Sequence, residues 1–576
     1  MRKIIPIFLT TFVLSFIVSG AQAVELPKIL SESDATIYKE IFRLQAAEKI
    51  SAAIEIEKSL KDPILKCEVL YQRYTSKTYR SKGKELAAWM QKCYNKPGAE
   101  RIAKIAKIKK ASVRSPKLPT PDVRFKDIGA KSESWTTKEY SGATAGKIKQ
   151  FKKVLSRGST KNARHILEDK KFVKSLSKAD YGRLAGRLAF IYYTNGEIEL
   201  AKKFGQISAN EKSEYGLWTM GLIAFKEGKF DEAEAKFNEM TNLTQLNDAR
   251  KIEALFWAGR SAEMAGNNGI AKKHWRIGMK RPQLFYGTLS AAMLDKTPEY
   301  EFFDKGISDD DIEQIINTGY GKTALAFLQI DDKVRAEKYL ALLATKNASD
   351  KMLHALYSLS STEKLPRMSM QMAGLVRNRG IMEIDQNVIF GAQYPLPDWE
   401  PMGGWSIDRA LLFAITRQES GFKTSAKSVK GAKGVMQMMP KTAKMVAKRN
   451  NVHISKLDIS KPEHNMFLGQ QYIVDLLNLP LIDKNIIKML AAYNSGEGSV
   501  MKFEKRFQTD DPLLWIESFP HVETRNYIKR VISNLWLYRA KLDQPLTGLE
   551  ELADGKWPMY SSEDEFVKSQ ITDKTI

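Results

Sequence analysis

Residues 417–440 read RQESGFKTSAKSVKGAKGVMQMMP, and the apolar stripe that leads into them ends in a carboxylate. Steps of four residues back from Glu419 meet three aliphatic side chains: Ile415, Leu411 and Ile407. Because positions four apart lie on one face of an α-helix, this spacing predicts an amphipathic helix whose last core position is Glu419. Gly421 then ends the helix.

The predicted position of Glu419 is unusual for a carboxylate, because two effects disfavour its charged form. Burial on the stripe removes water from the carboxylate, and the free carbonyl groups at the helix end repel negative charge. Raising the pKa of a glutamate from ~4.3 to ~6 requires only ~2.3 kcal/mol, so such a group can hold a proton near neutral pH and donate it. The alternative is an ordinary acid at a helix end that turns out to solvent.

The residues after Glu419 suit a groove for an uncharged, polar sugar. Hydroxyl, amide and glycine positions able to line such a groove are Ser428, Gly431, Gly434, Gln437 and Asn494. Soft apolar surface for the faces of sugar rings is offered by Met436, Met438 and Met439. One or two of these methionines are equally suited to the core of the loop.

Four short motifs in order make this part of the chain resemble a known family. They are Glu419-Ser420 with Phe422, then GVMQMMP over residues 434–440, then Asn465 with Gly469 and Tyr472, then Ala492-Tyr493-Asn494 with Gly496. This set resembles the ordered motifs of lytic transglycosylases. Stretches similar to the large soluble members are Pro520 with Glu523, Tyr527 and Arg530, then Phe285-Tyr286-Gly287, and Tyr394-Pro395. The resemblance implies an all-α chain, in which a superhelical array of tetratricopeptide-like helical hairpins precedes a linker and a lysozyme-like catalytic domain.

The same resemblance assigns roles to single residues. The family's acid and base falls on Glu419, and its glycan-binding positions fall on Ser428, Gln437, Met439, Tyr493, Asn494 and Glu523. It implies cleavage of the β-1,4 bond between N-acetylmuramic acid and N-acetylglucosamine in peptidoglycan, with 1,6-anhydromuramoyl ends and no metal or other cofactor. Two departures, Ser495 in place of alanine and Glu497 in place of proline, leave the shape of that loop open.

The scarcity of acids after Glu419 bears on the reaction. Residues 420–457 contain no Asp or Glu but nine Lys or Arg. Ordinary glycosidases pair two carboxylates ~5 Å or ~6.5–9.5 Å apart, so a single acid requires the substrate's own N-acetyl oxygen to stabilise the anomeric carbon. Later acids that can still fold back are Asp458, Glu463 and Glu523. Two rival functions stay open: a hydrolytic muramidase of the same fold, and a non-catalytic solenoid scaffold that only binds glycan.

The first residues predict an exported protein. A basic start, an apolar run from Ile4 to Val18 and a small-residue end at Ala23 are typical of a cleaved signal peptide, the alternative being an uncleaved membrane anchor. We expect a soluble periplasmic protein without stable membrane insertion, because no later apolar run reaches ~18 residues. The net charge of +24 suits nucleic acid, an anionic membrane surface or acidic cell-wall material and does not choose among them, and a merely solvated surface is the alternative. Export argues against nucleic acid, and the resemblance implies peptidoglycan glycan strands as the partner. The sequence identifies no cell-wall enzyme as a partner.

The chain has only two cysteines, Cys67 and Cys93, and both lie in a predicted helical hairpin. In an oxidising compartment this arrangement favours a disulfide over two buried thiols. Two cysteines without nearby histidines make a poor metal site, so none is predicted.

A repeat signal is clearest when three glycines are aligned: Gly196, Gly228 and Gly266. Each is followed five residues later by an alanine, namely Ala201, Ala233 and Ala271, and preceded seven residues earlier by Ala189, Gly221 and Gly259. Small residues at these offsets let two antiparallel helices approach closely, and the spacings bracket the tetratricopeptide period of ~34 residues. A non-repeating helical bundle is the alternative.

Composition predicts where the chain divides. Prolines and paired glycines in residues 394–404 mark the start of the last compact domain, and residues 546–576 carry seven acids, three bases and little periodicity. The predicted parts are a signal peptide over 1–23, an N-terminal helical segment over 24–115, a helical-hairpin solenoid over 116–300, a helical linker domain over 301–395, a lysozyme-like domain over 396–545 and a flexible acidic tail over 546–576.

Overall fold

The computed structural model of the chain describes residues 24–122, 134–303, 306–381, 389–565 and 567. The predicted signal peptide over 1–23 lies outside the described residues. The described part forms 28 α-helices, two short 3-10 helices and two strands of two residues each, which confirms the all-α prediction. It divides into two compact units, one built from the described residues up to 122 and in 306–362, the other from those in 134–303 and from 363 onward.

The helices run in chain order as follows. They are α1 (Glu32–Ala46), α2 (Ile50–Glu57), α3 (Lys66–Tyr74), α4 (Gly83–Cys93), α5 (Ala99–Ile108), α6 (Gly142–Ser156), α7 (Thr160–Glu168), α8 (Lys170–Ser175), α9 (Lys178–Thr194), α10 (Ile198–Asn210), α11 (Glu214–Lys226), α12 (Phe230–Thr241), α13 (Asp248–Met264), α14 (Asn268–Gly278) and α15 (Phe285–Ala292). They continue as α16 (Asp309–Ile316), α17 (Gly319–Gln329), α18 (Lys333–Ala341), α19 (Asp350–Thr362), α20 (Pro366–Arg379), α21 (Arg409–Ser420), α22 (Pro440–Arg449), α23 (Pro462–Leu477), α24 (Ile486–Ser495), α25 (Glu497–Glu504), α26 (Pro512–Ser518), α27 (Val522–Lys541) and α28 (Leu549–Ala553). The 3-10 helices are Gly391–Gln393 and Ile454–Lys456, and strands β1 (Phe302–Phe303) and β2 (Ile389–Phe390) pair in parallel.

The first unit joins helices that are far apart in sequence. The Tyr339 hydroxyl of α18 donates to the Glu68 carboxylate of α3 at 2.8 Å, and the Gln329 side chain accepts from the N–H groups of Ile29 and Leu30 at 2.9 and 2.8 Å. Residues 24–115 and 301–395 were predicted as separate parts. The structure instead packs much of the second part onto the first.

Of the two cysteines, Cys93 is buried in the core of this unit and Cys67 is partly buried against it. Cys67 of α3 and Cys93 of α4 are joined as a disulfide. Beside it, Trp89 is buried and its indole N–H donates to the carbonyl of Cys67 at 2.8 Å. The cross-link therefore ties together two helices that also share an apolar contact.

In the second unit, α9–α14 form the three predicted hairpins. The turn glycines Gly196, Gly228 and Gly266 have φ of 80°, 75° and 82°, a conformation that glycine adopts without strain. A Cβ added at Gly221 would lie 2.7 Å from the Phe237 ring, and one at Gly259 would lie 2.5 Å from Trp275. The small residues at these offsets thus allow the close helix approach that the repeat predicted, which confirms the hairpin array.

Helix α21 is the centre of the last domain and packs against α27. The predicted core positions Leu411 and Ile415 on this helix, and Ile407 just before it, are at most 1% exposed. The helix is more deeply buried than an amphipathic pattern predicts, because residues 410–417 are buried on all sides. A helix that is buried on all sides must be enclosed by other elements, and α27 is one of the elements that enclose α21.

The C-terminal segment corrects the prediction of a flexible acidic tail from residue 546. Leu549 and Leu552 of α28 are buried, so this part packs against the domain. The Tyr560 hydroxyl donates to the fully buried Asp408 at 2.9 Å, and Asp564 pairs with Arg409 at 2.9 Å. The prediction is therefore wrong as far as residue 565, because its acids bond to the start of α21 and are not spread in solvent. Residues 568–576 lie outside the described residues.

Within the described part of the chain, every helix is too short or too polar to cross a bilayer.

Candidate active site

Glu419 lies in the last turn of α21, where the backbone turns sharply. Gly421 has a left-handed φ of 54° and donates its N–H to the carbonyl of Arg417 at 3.0 Å. Phe422 is also left-handed (φ 61°), a costly conformation for a bulky residue. Its ring is buried against Phe413 and Trp399, with centroids 6.3 and 5.9 Å away. Packing of Phe422 therefore fixes the turn that carries the carboxylate.

The carboxyl group of Glu419 titrates near neutrality. The residue keeps partial solvent exposure, but burial of its carboxyl raises the pKa to about 7. The Tyr527 hydroxyl opposes this rise, and the negative charge of Glu523 adds to it. At neutral pH both the protonated and the ionised forms are populated, so one group can both donate and accept a proton.

Two tyrosine rings stack next to this carboxyl. Tyr493 of α24 and Tyr527 of α27 lie 6.4 Å apart with nearly parallel planes, and burial together with the charge of Glu419 raises both of their pKa values. The buried Tyr527 hydroxyl makes no hydrogen bond of ordinary geometry among the described residues, but it lies close enough to the Glu419 carboxyl to lower its pKa as a hydrogen-bond donor. Sequence reasoning gave Tyr527 no role in the site. Its spacing of four residues from Glu523, on the same face of α27, was the available signal.

The loop between α21 and α22 is held by Asn465, which is fully buried on α23. Its side-chain oxygen accepts from the N–H of Met436 at 2.8 Å, and its amide donates to the carbonyls of Lys433 and Ile459 at 3.1 and 3.2 Å. Gly434 has φ 78°, and a Cβ there would collide with the Asn465 amide and lie 2.7 Å from the Ile459 carbonyl. The motif positions Gly434 and Asn465 thus shape the loop.

The predicted groove residues of this loop differ in exposure. Ser428 is half-buried, and its hydroxyl oxygen accepts from the N–H of Ala432 at 3.0 Å. Gln437 has a left-handed φ of 47°, and its amide donates to the carbonyl of Gly434 at 2.8 Å. Met439 is 41% exposed, whereas Met436 and Met438 are buried. The core interpretation therefore holds for two of the three methionines.

Helix α24 links this loop to α27. The Tyr493 hydroxyl donates to the carbonyl of Met436 at 2.9 Å, and the side-chain oxygen of Asn494 accepts from the Thr524 hydroxyl at 2.8 Å. Ser495 ends the helix with its hydroxyl bonded to Ala491, and Glu497 is the first residue of α25. An acid at a helix N-terminus is favourable, so Glu497 starts a helix where proline is also well suited.

Of the three later acids, only Glu523 acts on the pKa of Glu419 among the described residues. Asp458 accepts from the N–H and hydroxyl of Ser460 at 2.9 and 2.6 Å and so caps its own turn. Glu463 lies in the first turn of α23. Glu523 is itself exposed, in the first turn of α27. The site is built around one buried carboxyl with a second, solvated one nearby.

The sequence of this domain matches a described family. Residues 400–516 match the Transglycosylase SLT domain. This part of the chain is therefore similar to the Transglycosylase SLT domain, and residues 400–516 are called the SLT domain below. The SLT match contains Glu419, Ser428, Gln437, Met439, Tyr493 and Asn494. Glu523 and Tyr527 lie beyond it.

Curated relatives are similar to part of the chain. A putative soluble lytic murein transglycosylase of Haemophilus influenzae is 33% identical over 136 residues, which are 23% of this chain and 23% of that protein. The soluble lytic murein transglycosylase of Escherichia coli K12 is 34% identical over 139 residues, 24% of this chain and 21% of that protein. The chain thus aligns with less than a quarter of the length of these curated relatives.

Solved structures extend the likeness in fold beyond the SLT domain. An inactive variant of the lytic transglycosylase Slt from Pseudomonas aeruginosa has a TM-score of 0.56 and 17% identity, covering 93% of this chain and 90% of that one. The 70-kDa soluble lytic transglycosylase of Escherichia coli has a TM-score of 0.51 and 14% identity, covering 92% and 99%. At these identities the likeness shows the fold alone.

Proposed function

We propose that this protein is a peptidoglycan lytic transglycosylase. It cleaves the β-1,4 bond between N-acetylmuramic acid and N-acetylglucosamine and leaves 1,6-anhydromuramoyl ends. The observation that carries the proposal is a single, partly exposed Glu419 whose pKa is raised by burial to about 7. The SLT match over 400–516 and the similarity to lytic murein transglycosylases support the same reaction.

In the proposed reaction Glu419 acts first as acid and then as base. Its carboxyl proton passes to the glycosidic oxygen as the bond from that oxygen to the muramic acid C1 breaks, while the substrate's N-acetyl oxygen stabilises C1. The Glu419 carboxylate then takes the proton of the muramic acid 6-hydroxyl as that oxygen bonds to C1. No water is consumed, and Glu419 ends in its starting protonation state.

The groove residues have proposed roles in holding the sugar chain. Ser428, Gln437 and Asn494 offer hydroxyl and amide groups, and Met439 offers an exposed apolar surface to a sugar ring. Tyr493 shapes the wall behind Glu419, and Glu523 raises the pKa of Glu419 from the rim. The proposed place of action is the periplasm, supported by the predicted signal peptide and by the charge of +24 against an anionic wall.

Labelled water distinguishes this reaction from hydrolysis. A hydroxyl held against C1 reaches an effective concentration of ~10⁵ M or more, so ring closure outruns attack by water when alignment is good. Digestion of purified sacculi in ¹⁸O-labelled water should therefore give anhydro ends without label, read by mass spectrometry. Reducing muramic acid ends that carry one ¹⁸O each would identify a lysozyme-type hydrolase instead.

The pH dependence of the rate tests the protonation state of Glu419. Because the group must start protonated and its pKa is about 7, turnover should fall as pH rises through that value. Tyr527→Phe removes a hydroxyl that lowers this pKa, so the alkaline limb should move to higher pH. Tyr538→Phe is the matched control, since the Tyr538 hydroxyl is buried on the same helix, makes no hydrogen bond among the described residues and does not act on Glu419. An alkaline limb that stays in place in Tyr527→Phe would contradict the assignment.

A further inference from the structure

The first unit carries a surface of exposed basic side chains that come from two stretches of the chain, residues 77–84 and 101–117. A Cβ added at Gly83 would lie 3.2 Å from that of Ala111, so the two stretches touch there. We call this surface the basic patch. Its members are Lys77, Arg80, Lys82, Lys84, Arg101, Lys104, Lys107, Lys109, Lys110, Arg114 and Lys117.

The protein itself does not neutralise the basic patch. None of the patch cations forms an ion pair with another described residue. The two acids within residues 77–117 are Glu85, which accepts from the N–H of Lys82 at 2.6 Å and caps α4, and Glu100, in the first turn of α5. Like charges gathered on one surface repel each other, and a bound polyanion relieves that repulsion.

An exposed aliphatic side chain lies among these cations. Ile108, the last residue of α5, is 82% exposed, and of the large apolar side chains in the described residues only Val429 is more exposed. Ala106 faces the core, and Ile108 follows two positions later, about 200° round the helix. Its neighbours in sequence are Lys107 and Lys109. A cationic surface with an apolar side chain at its centre is suited to the boundary between water and lipid.

A hollow of about 400 Å³ opens between the end of α5 and the segment over 111–116. All its lining residues are described, and there is no acid among them. The Arg114 guanidinium lies over the Tyr94 ring, 3.3 Å from its centroid, and so covers a ring face on which a sugar could stack. Cations together with hydroxyl groups are well suited to a phosphate. Those that line the hollow are Lys107, Lys110, Arg114, Ser112 and Ser115.

We propose that the basic patch binds this protein to the surface of a bilayer that contains anionic phospholipids. Phosphate head groups lie in the hollow against Lys107, Lys110 and Arg114, the other patch cations lie over the charged surface, and Ile108 enters the boundary of the acyl chains. A glycan strand or another soluble polyanion has charge but no apolar interior for Ile108. The contact is peripheral, and it does not depend on the reaction at Glu419.

Cosedimentation with lipid vesicles tests the proposal, using the protein from residue 24 onward so that the apolar run over 4–18 cannot bind lipid. We expect saturable binding to vesicles of phosphatidylcholine mixed with phosphatidylglycerol, and none to pure phosphatidylcholine. Each cation near an anionic bilayer strengthens binding about fivefold, so the triple variant Lys107→Gln, Lys110→Gln, Arg114→Gln should bind the mixed vesicles about 10²-fold more weakly.

The matched control for net charge is the triple variant Lys170→Gln, Lys171→Gln, Lys174→Gln on α8, whose side chains are exposed and lie outside the patch. It should bind as the parent does. Ile108→Ser should weaken binding to the mixed vesicles about fivefold or more, because it removes apolar surface from the lipid boundary. Its binding of inorganic polyphosphate, which has no apolar interior, should equal that of the parent.

Thermal melting checks that all variants are folded. Four results would overturn the proposal. They are equal binding to mixed and pure phosphatidylcholine vesicles, parental binding by the patch variant, equal losses in the two triple variants, and parental vesicle binding by Ile108→Ser. The last of these would identify a general polyanion site instead.

Discussion

Glu419→Gln should reduce turnover of peptidoglycan at least ~10²-fold, because the amide has the shape of the carboxyl group but cannot transfer a proton. The fold should be retained. At pH 8 the parent carries an ionised carboxylate in a site where burial disfavours charge, since the pKa is about 7, whereas the amide carries none. The melting temperature of the variant at pH 8 should therefore equal or exceed that of the parent.

The matched control for that variant is Glu523→Gln, the same substitution at the exposed rim. Glu523 raises the pKa of Glu419, so its removal should lower that pKa and move the alkaline limb to lower pH. Turnover at pH 5 to 6 should remain well above that of Glu419→Gln. Release of anhydro ends from sacculi measures both variants. Near-parental turnover in a folded Glu419→Gln protein would remove Glu419 from the mechanism.

Lys529→Met should cost about 3–5 kcal/mol of unfolding free energy, because it leaves buried acids without their cation. Lys529 is 9% exposed, pairs with Glu253 and lies 2.8 Å from Glu517. Glu517 also accepts from the Tyr286 hydroxyl at 2.6 Å, so the network joins α15 to α26 and α27. Methionine has a similar volume to lysine, so the loss of unfolding free energy measures the effect of removing the positive charge.

Urea unfolding measures this loss, and Lys364→Met is its control. Lys364 pairs with Asp398 at 2.7 Å, but both side chains are more than half exposed, so the change should stay within about 1 kcal/mol. Burial already raises the pKa of Glu517, so it gains a proton readily once its cation is removed. The deficit of Lys529→Met should therefore shrink as pH falls towards 5. A deficit below about 1 kcal/mol at pH 7 would show that the buried pairs do not stabilise the fold.

Local patterns predicted the helices and the hairpins. The four-residue spacing of Ile415 and Leu411 predicted α21, and the turn glycines predicted the hairpins of α9–α14. Both predictions succeeded because these elements are formed by residues within about 40 positions of one another. The raised pKa of Glu419 followed from its position at a helix end. The sequence could not predict that Met439 is exposed while Met436 and Met438 are buried, because the exposure of each side chain depends on how the whole loop packs.

Contacts between distant parts of the chain could not be read from the sequence. The packing of residues 306–362 onto 24–122 rests on pairs such as Tyr339 with Glu68, which are 271 residues apart. The order of residues 546–565 rests on single acids that find basic or buried partners around α21. A low apolar content predicts disorder only when the polar residues have no bonding partners elsewhere in the chain. Composition alone does not show whether such partners exist.

The bonds that Tyr560 and Asp564 make to the first turn of α21 have a consequence for the order of events in biosynthesis. A chain is made from its N-terminus, so Asp408 is synthesised 152 residues before the hydroxyl that bonds to it. Until then the buried carboxylate at the head of α21 lacks this partner. Since the far end of the same helix carries Glu419, the contacts that enclose this helix are complete only once residues 560 and 564 have been made. Late completion of this kind would delay the proposed reaction at Glu419 until most of the described chain has been made.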